Sequence, residues 1–299
     1  MAVKFFSHPH NFLSLPLQFS DFKKSQFVVL PVPYEQTTTF KTGTKNGPCA
    51  IISASKEVEL FDEELEFEAY QVGICTLPEI EITALGPEKM NRKIYQAAKH
   101  LIQRNKFIVM LGGEHSITYG LVKAYQEKYR DLTVLQLDAH ADLRESYQEN
   151  KFSHACAMKR VWEICPVVGV GIRNLSGGEF RFTKQKKIRL FYAKYLQNYK
   201  TYYDEIINSL SQNVFLTFDL DYFDPSIMPA VGTPEPGGLF WYETLELLKK
   251  VIQKKNLVGF DVVELSPLAG NVAPDFLAAR LIYKLISYQV AKEKKLLKN

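Results

Sequence analysis

Short runs of apolar and β-branched residues recur along the chain, separated by segments with helical period. The runs at 27–32, 72–74, 107–111, 132–137, 167–171, 188–192, 214–218 and 257–263 read as eight strands. Their nearly unbroken apolarity marks strands covered on both faces, because a sheet with one wet face would alternate apolar and polar positions. Between them, 87–104 puts Ile94, Ala97, Ala98, Leu101 and Ile102 on one helical face, with Pro87 in the first turn. Helical patterns also cover 50–61, 203–210, 244–252 and 274–290, and one runs through Leu121, Val122 and Tyr125. Buried strands alternating with helices predict an α/β fold with a mostly parallel sheet between helical layers. No linker, internal repeat or low-complexity stretch divides residues 1–299, so a single domain is expected.

The polar residues that close these runs change the picture. The run at 132–137 is followed by Asp138, His140 and Asp142 at alternate positions; 214–218 is followed by Asp219 and Asp221; 107–111 leads through Gly112, Gly113 and Glu114 to His115. On extended chain, alternate residues share a face, whereas two positions along a helix point about 200° apart, so this spacing predicts an extended backbone carrying a site. Taken singly, an Asp after a strand is ordinarily a cap or turn residue. Six such side chains on three strand ends, where ligands of parallel sheets bind, are better explained together.

Composition bounds the rest. The chain is 46% hydrophobic and 23% charged, which is globular, and a formal charge of +4 is too small for a nucleic-acid surface. The basic stretches at 184–189 and 292–298 are short and separate, as solvated faces or ends are. Cys49, Cys75, Cys156 and Cys165 form no Cys-x-x-Cys pair, and reduced thiols of a cytoplasmic protein are expected. Ser7, His8, Pro9, His10 and Asn11 interrupt the apolar start and no cleavage-site pattern follows, so no signal peptide is expected. No apolar run approaches the ~18 residues of a membrane span.

Four carboxylates packed together would not all stay ionised without a counter-charge, and two divalent cations would provide it. Oxygen donors with two imidazoles and no thiolate favour Mn²⁺, with Fe, Co, Ni and Zn as alternatives. Two such ions about 3.5–4 Å apart can share a hydroxide at neutral pH, which points to hydrolysis. Two more residues fit: His154, past a short loop after Asp142, as a proton carrier, and Glu264, after the last strand, as a partner for a cationic group.

The segments Gly112-Gly113-Glu114-His115-Ser116, Asp138-Ala139-His140-Ala141-Asp142 and Phe218-Asp219-Leu220-Asp221, with Asp224-Pro225 and Gly232-Thr233-Pro234 after them, resemble the ureohydrolases, the family of arginases and agmatinases. The resemblance runs from about residue 31 to 280. It implies a three-layer α/β/α domain around a parallel eight-stranded sheet, two Mn²⁺ per chain, and a homotrimer or homohexamer. Carried over by position, His115, Asp138, Asp142 and Asp219 hold one ion, and Asp138, His140, Asp219 and Asp221 the other. The implied reaction is hydrolysis of a small guanidino substrate to urea, with catalytic roles for His154, Glu264 and Asp142, and substrate contacts from Glu264, Thr233 and His154.

Within that family the agmatinase-like branch is closest, on the pattern at 32–40, on 45–48 and on Ser153-His154-Ala155, although Lys45 and Cys49 stand where arginines are common. The loop 143–152 lacks the Asn and Ser pattern that holds an α-carboxylate in arginases, and Asn174 follows Gly171-Ile172-Arg173 where they carry an Asp. The expected substrate is therefore agmatine, giving putrescine and urea in polyamine biosynthesis. The alternatives are aminopropylagmatine, arginine, guanidinobutyrate or formimidoylglutamate. Glu145 or Glu149 could meet a distal ammonium, although solvated loop charges are the commoner reading of such residues, and Arg144 could serve the carboxylate of a formimidoyl or guanidino acid. Competing classes are a two-metal phosphoesterase, a one-zinc deacetylase on a similar fold and a catalytically silent metal-binding paralogue.

Overall fold

The computed structural model describes residues 9–297. The first eight residues, with the Ser7-His8 part of the N-terminal stretch, and the end of the basic tail at Lys298 lie outside the described residues. Eight strands, β1 (Phe27–Val32), β2 (Ile74–Thr76), β3 (Phe107–Gly112), β4 (Leu132–Leu137), β5 (Val167–Ile172), β6 (Arg189–Tyr192), β7 (Asn213–Asp219) and β8 (Asn256–Val263), form one sheet in the order β2-β1-β3-β8-β7-β4-β5-β6. Every adjacent pair is parallel. Helices α1 (Leu17–Ser20), α2 (Gly47–Ser55), α3 (Pro87–Gln103), α4 (Thr118–Lys128), α5 (Ala157–Trp162), α6 (Gly177–Lys186), α7 (Tyr199–Asn208), α8 (Trp241–Lys254) and α9 (Ala273–Glu293) connect and cover the strands.

Alternation along each strand builds two cores. Phe27 and Val29 of β1 and Val109 and Leu111 of β3 point to the side where Ile51 of α2, Leu248 of α8 and Ile282 of α9 pack. Val28, Leu30, Ile108 and Met110 point to the other, against Ile94 of α3, Leu121 of α4 and Val161 of α5. The result is the three-layer α/β/α arrangement that the apolar runs imply.

Local chemistry moved two elements. β2 starts at Ile74 rather than 72, because Ala69–Val72 closes a 3₁₀ turn and Gly73 leaves it at φ 83°, a left-handed conformation that glycine reaches without strain. α2 covers Gly47–Ser55 rather than 50–61, since the N–H groups of Lys56, Glu57 and Val58 bond back three residues, to Ser53, Ala54 and Ser55, and wind the helix down. No helix among the described residues is long and apolar enough to cross a membrane.

Candidate binuclear metal and active site

The sheet order makes β3, β8, β7 and β4 neighbours. Their carboxyl ends therefore deliver His115, Glu264, Asp219 with Asp221, and Asp138 with His140 and Asp142 to one place, although 149 positions separate His115 from Glu264. The extended backbone expected for these residues holds only at its start. Asp219 ends β7, but its side chain then caps the 3₁₀ turn Leu220–Tyr222 by accepting from Asp221 N at 2.9 Å. His115 opens a 3₁₀ turn, and Asp142 sits at φ 52°. Turns rather than a continued strand converge the ligands.

Two groups of candidate metal ligands result: His115, Asp138 and Asp219, and Asp138, His140 and Asp221, with the donor atoms of each group within 4.8 Å of one another. Asp138 is common to both groups. His115 Nδ1 lies 3.2 Å from Asp138, 3.1 Å from Asp142 and 3.3 Å from Asp219. His140 Nδ1 lies 2.8 Å from Asp221 Oδ2 and 3.7 Å from Asp138 Oδ1. Asp142 thus borders the first group through His115, while Asp219 joins the first group and not the second.

The hydrogen bonds around His115 assign its tautomer. Thr217 Oγ1 donates to Asp261 at 2.6 Å, so toward His115 Nε2, 2.9 Å away, it is an acceptor. Nε2 then carries one proton, and the buried Nδ1 faces three carboxylates, which against burial raise His115 well above its ordinary value, so that a proton sits on Nδ1 until a cation takes its place. Four such atoms converging on one point need a positive charge there. The protonation equilibria agree. Burial, with Asp221 and Asp142 nearby, pushes Asp138 up to about 7, and burial with Asp221 and Asp138 raises Asp219 well above the carboxylate range. Burial opposes a charged His140, yet Asp221 and Asp138 hold it up at about 11. Asp221 is itself brought down to about 2 by His140 despite burial. Without added positive charge the site takes up protons instead, so the donor set fits two divalent ions.

Glu264, buried at the end of β8, accepts from His115 N at 2.7 Å; burial and the charge of Glu114 push it up to about 8. His154, Glu264, Asp142 and Thr233 line one cavity together with the candidate ligands His115, His140, Asp219 and Asp221, and Tyr147, Asn174 and Arg144 line it too. Glu145 and Glu149 do not line it: Glu145 pairs with Lys159 at 2.9 Å and Arg160 at 3.3 Å, and Glu149 belongs to a separate surface hollow. Two other acids stand nearby: Glu179 lines the cavity 3.8 Å from Arg144 Nε, with its carboxylate accepting from Leu143 N and Ser176 N, and Glu235 accepts from Asn174 and lies 3.8 Å from His140 Nε2.

Several supporting residues escaped the sequence reading. Asp261 had a signal, a lone acid inside an apolar strand; Thr217 had none. Arg173 fastens the loop after β7, its guanidinium donating to the carbonyls of Asp221 and Glu235 at 2.7 Å.

A model of the arginase family matches residues 25–287. The chain belongs to the arginase family. It is 37% identical over 301 residues, 96% of its own length and 98% of the relative's, to N(1)-aminopropylagmatine ureohydrolase of Synechocystis sp.. It is 39% identical to N(1)-aminopropylagmatine ureohydrolase of Thermus thermophilus, covering 89% of this chain and 90% of the other. Agmatine ureohydrolase of Thermoplasma volcanium superposes with a TM-score of 0.88 at 29% identity, covering 97% of each chain. Membership in this family, the shared fold and the two His/Asp groups support a hydrolytic enzyme of the ureohydrolase type with a binuclear metal site. The phosphoesterase and deacetylase alternatives lack this combined support, whereas a catalytically silent paralogue would share it and is separated by an assay of urea release.

Proposed function

We propose that the chain hydrolyses the guanidino group of an agmatine-like amine with two Mn²⁺, and that N(1)-aminopropylagmatine is preferred over agmatine itself. The products are urea with spermidine from the first and urea with putrescine from the second. The similarity of nearly the whole chain to two ureohydrolases of the aminopropyl derivative carries the order of preference, so the aminopropyl alternative has more support than the agmatine first expected. Agmatine stays as the second reading on the likeness to the Thermoplasma enzyme.

His115, Asp138, Asp142 and Asp219 would hold one ion, and Asp138, His140, Asp219 and Asp221 the other. When bound, the ions supply Lewis acidity that makes water a nucleophile at neutral pH. The protein does the rest. Glu264 presents a desolvated carboxylate to the planar guanidinium fork and, with Thr233, fixes its orientation. Asp142, 3.1 Å from His115 Nδ1, takes up the proton that the attacking water loses and passes it to the departing amine. His154 carries protons between the cavity and solvent. In this reading residues 1–299 are one domain, assembled as a homotrimer or homohexamer in the cytoplasm, and light scattering on the purified protein tests the assembly.

The deciding experiment compares kcat/KM for urea release from aminopropylagmatine, agmatine, arginine and guanidinobutyrate, with ammonia release from formimidoylglutamate. Aminopropylagmatine should lead. Agmatine in front would reverse the order proposed, and arginine preferred tenfold over both would refute the amine assignment, because a carboxylate left without its partners costs binding.

A further inference from the structure

Glu114 has no part in either ligand group, yet it is fully buried beside His115. Its Oε2 accepts from the backbone N–H groups of Gln36 at 2.7 Å and Thr37 at 2.6 Å. Its Oε1 accepts from the hydroxyls of Thr37, at 2.7 Å, and Ser116. Two backbone N–H groups and two hydroxyls thus fill the lone-pair positions of both oxygens, and the Thr37 hydroxyl proton is directed at Glu114.

The next link follows from the single proton of Thr37. With that proton given to Glu114, Thr37 Oγ1 can only accept, and it faces two His154 atoms: the backbone N at 3.0 Å and ring Nδ1 at 3.1 Å. Nδ1 must therefore be the protonated nitrogen. Ser153 Oγ, 3.4 Å from Nδ1, is free to accept from the same proton, and the Tyr147 ring stands edge-on at 5.9 Å.

We propose that Glu114, acting through the Thr37 hydroxyl, holds His154 in its Nδ1–H tautomer, so that Nε2 is the proton-accepting atom offered to the cavity. Glu114 and Thr37 are positioning residues. When Nε2 takes a proton, the imidazolium keeps its Nδ1–H on Thr37, one hydroxyl away from Glu114. The arrangement also ties the loop carrying Thr38 and Phe40, which line the cavity, to the histidine that moves the proton. A misplaced loop thus leaves His154 in the wrong tautomer. The role of His154 rests on the ureohydrolase reading; its tautomer does not.

The test uses Thr37→Val, which keeps shape and removes the acceptor, beside Thr37→Ser, which restores it. ¹⁵N-histidine spectra of the protein carrying diamagnetic Zn²⁺, assigned by loss of the signals in His154→Asn, should show Nδ1–H in the wild type and in Thr37→Ser, and loss of that preference in Thr37→Val. In the Mn²⁺ enzyme, Thr37→Val should lower kcat for urea release roughly 10–100-fold with KM within about threefold, since a correctly presented acid–base group contributes on the order of 10²–10⁴. Metal content should stay unchanged and Thr37→Ser should recover the rate. An Nε2–H tautomer in the wild type, or a Thr37→Val protein with wild-type tautomer and kcat, overturns the proposal. Absence of urea release from every guanidine by the wild type would sink the proposed function alone, with the tautomer still read from the spectra.

Discussion

Glu264→Gln removes one charge and leaves the shape almost unchanged, which isolates what the carboxylate does for a guanidinium. Glu264 Oε1 is committed to His115 N at 2.7 Å, and Oε2 is the oxygen next to Gly232 in the cavity wall, 3.7 Å from where a Cβ there would stand. A glutamine has one oxygen for two tasks. Used on the buried His115 N–H, it turns its NH₂ toward a guanidinium that only donates; turned around, it orphans the backbone donor. Either way a buried charge pair is broken, which costs about 3–5 kcal/mol. At 1.36 kcal/mol per tenfold, kcat/KM for urea release should fall by at least about 10²-fold. The assay is steady-state urea release with the preferred amine, with metal content measured on the same preparations, because His115 touches both the carboxyl and the metal ligands. A variant within fivefold of wild type, with metals intact, would refute the pairing. Loss of rate together with loss of metal would assign Glu264 to holding His115 instead.

After loading with excess Mn²⁺, elemental analysis should find close to two ions per chain, and one zinc with no second ion would refute the binuclear reading. Loading should also release protons at neutral pH, because Asp138 at about 7, Glu264 at about 8 and His140 at about 11 carry protons before a cation arrives; titration calorimetry in two buffers should show the release falling as pH rises through about 7 to 8 and persisting above that until His140 loses its proton. Cys156→Ala should retain most activity while Asp138→Asn abolishes it, since burial pushes the Cys156 thiol up to about 12 and leaves it unreactive; equal loss in both folded variants would demand thiol chemistry. Lys284→Met should destabilise the fold by about 3–5 kcal/mol, because it strands buried Asp62, 2.8 Å from Nζ, and the melting temperature should drop by roughly 10 °C. Lys249, Tyr288 and Lys284 together hold Glu64 at about 2 against burial, below the ordinary 4.5. That pairing adds stability above pH 4.5 that is lost as pH falls toward 2, so Lys284→Met should flatten the acid limb there, and an unchanged limb would count against the network.

The site was legible because its chemistry is written at strand ends. A buried parallel strand must stop in a polar turn, so Asp138, Asp219 and Glu264 stand out against apolar runs, and the sheet order then makes four distant strand ends adjacent. The spacing argument placed these residues together by a partly wrong route: Asp221 and Asp142 converge through a 3₁₀ turn and a left-handed residue, which an alternating pattern does not distinguish from a strand. Thr37 was illegible, since one threonine of a polar loop carries no mark of the buried carboxylate it meets across 77 positions. Glu145 and Glu149 are the solvated loop charges that such residues ordinarily are. They sit in the right loop, but nearby Lys159 and Arg160 claim the first, and backbone turns at φ 46° for Gln148 and 62° for Glu149 put the second in another hollow.

Two of the residues offered to substrate and metal, Asp142 at φ 52° and Glu264 at φ 70°, occupy backbone conformations that cost a non-glycine residue about 1–3 kcal/mol each. Glycine would relieve the strain and remove the carboxylate, so the strain is the condition for a charge at that turn. Neighbouring backbone holds each turn in place: Glu264 N donates to Gly113 O at 2.8 Å, and Asp142 O accepts from Lys159 N at 3.0 Å. Asp142 is thereby anchored to α5, three residues past His154, and Glu264 to the segment that carries Glu114 and His115. The cost of the strained turns and that of the crowded carboxylates fall on the same few residues, above strands β4, β7 and β8, whose residues past the first are all buried. A cation that relieves the crowding acts directly on the segments that the sheet has already forced into place, which is why the fold can carry so much unfavourable chemistry at one edge without loosening its core.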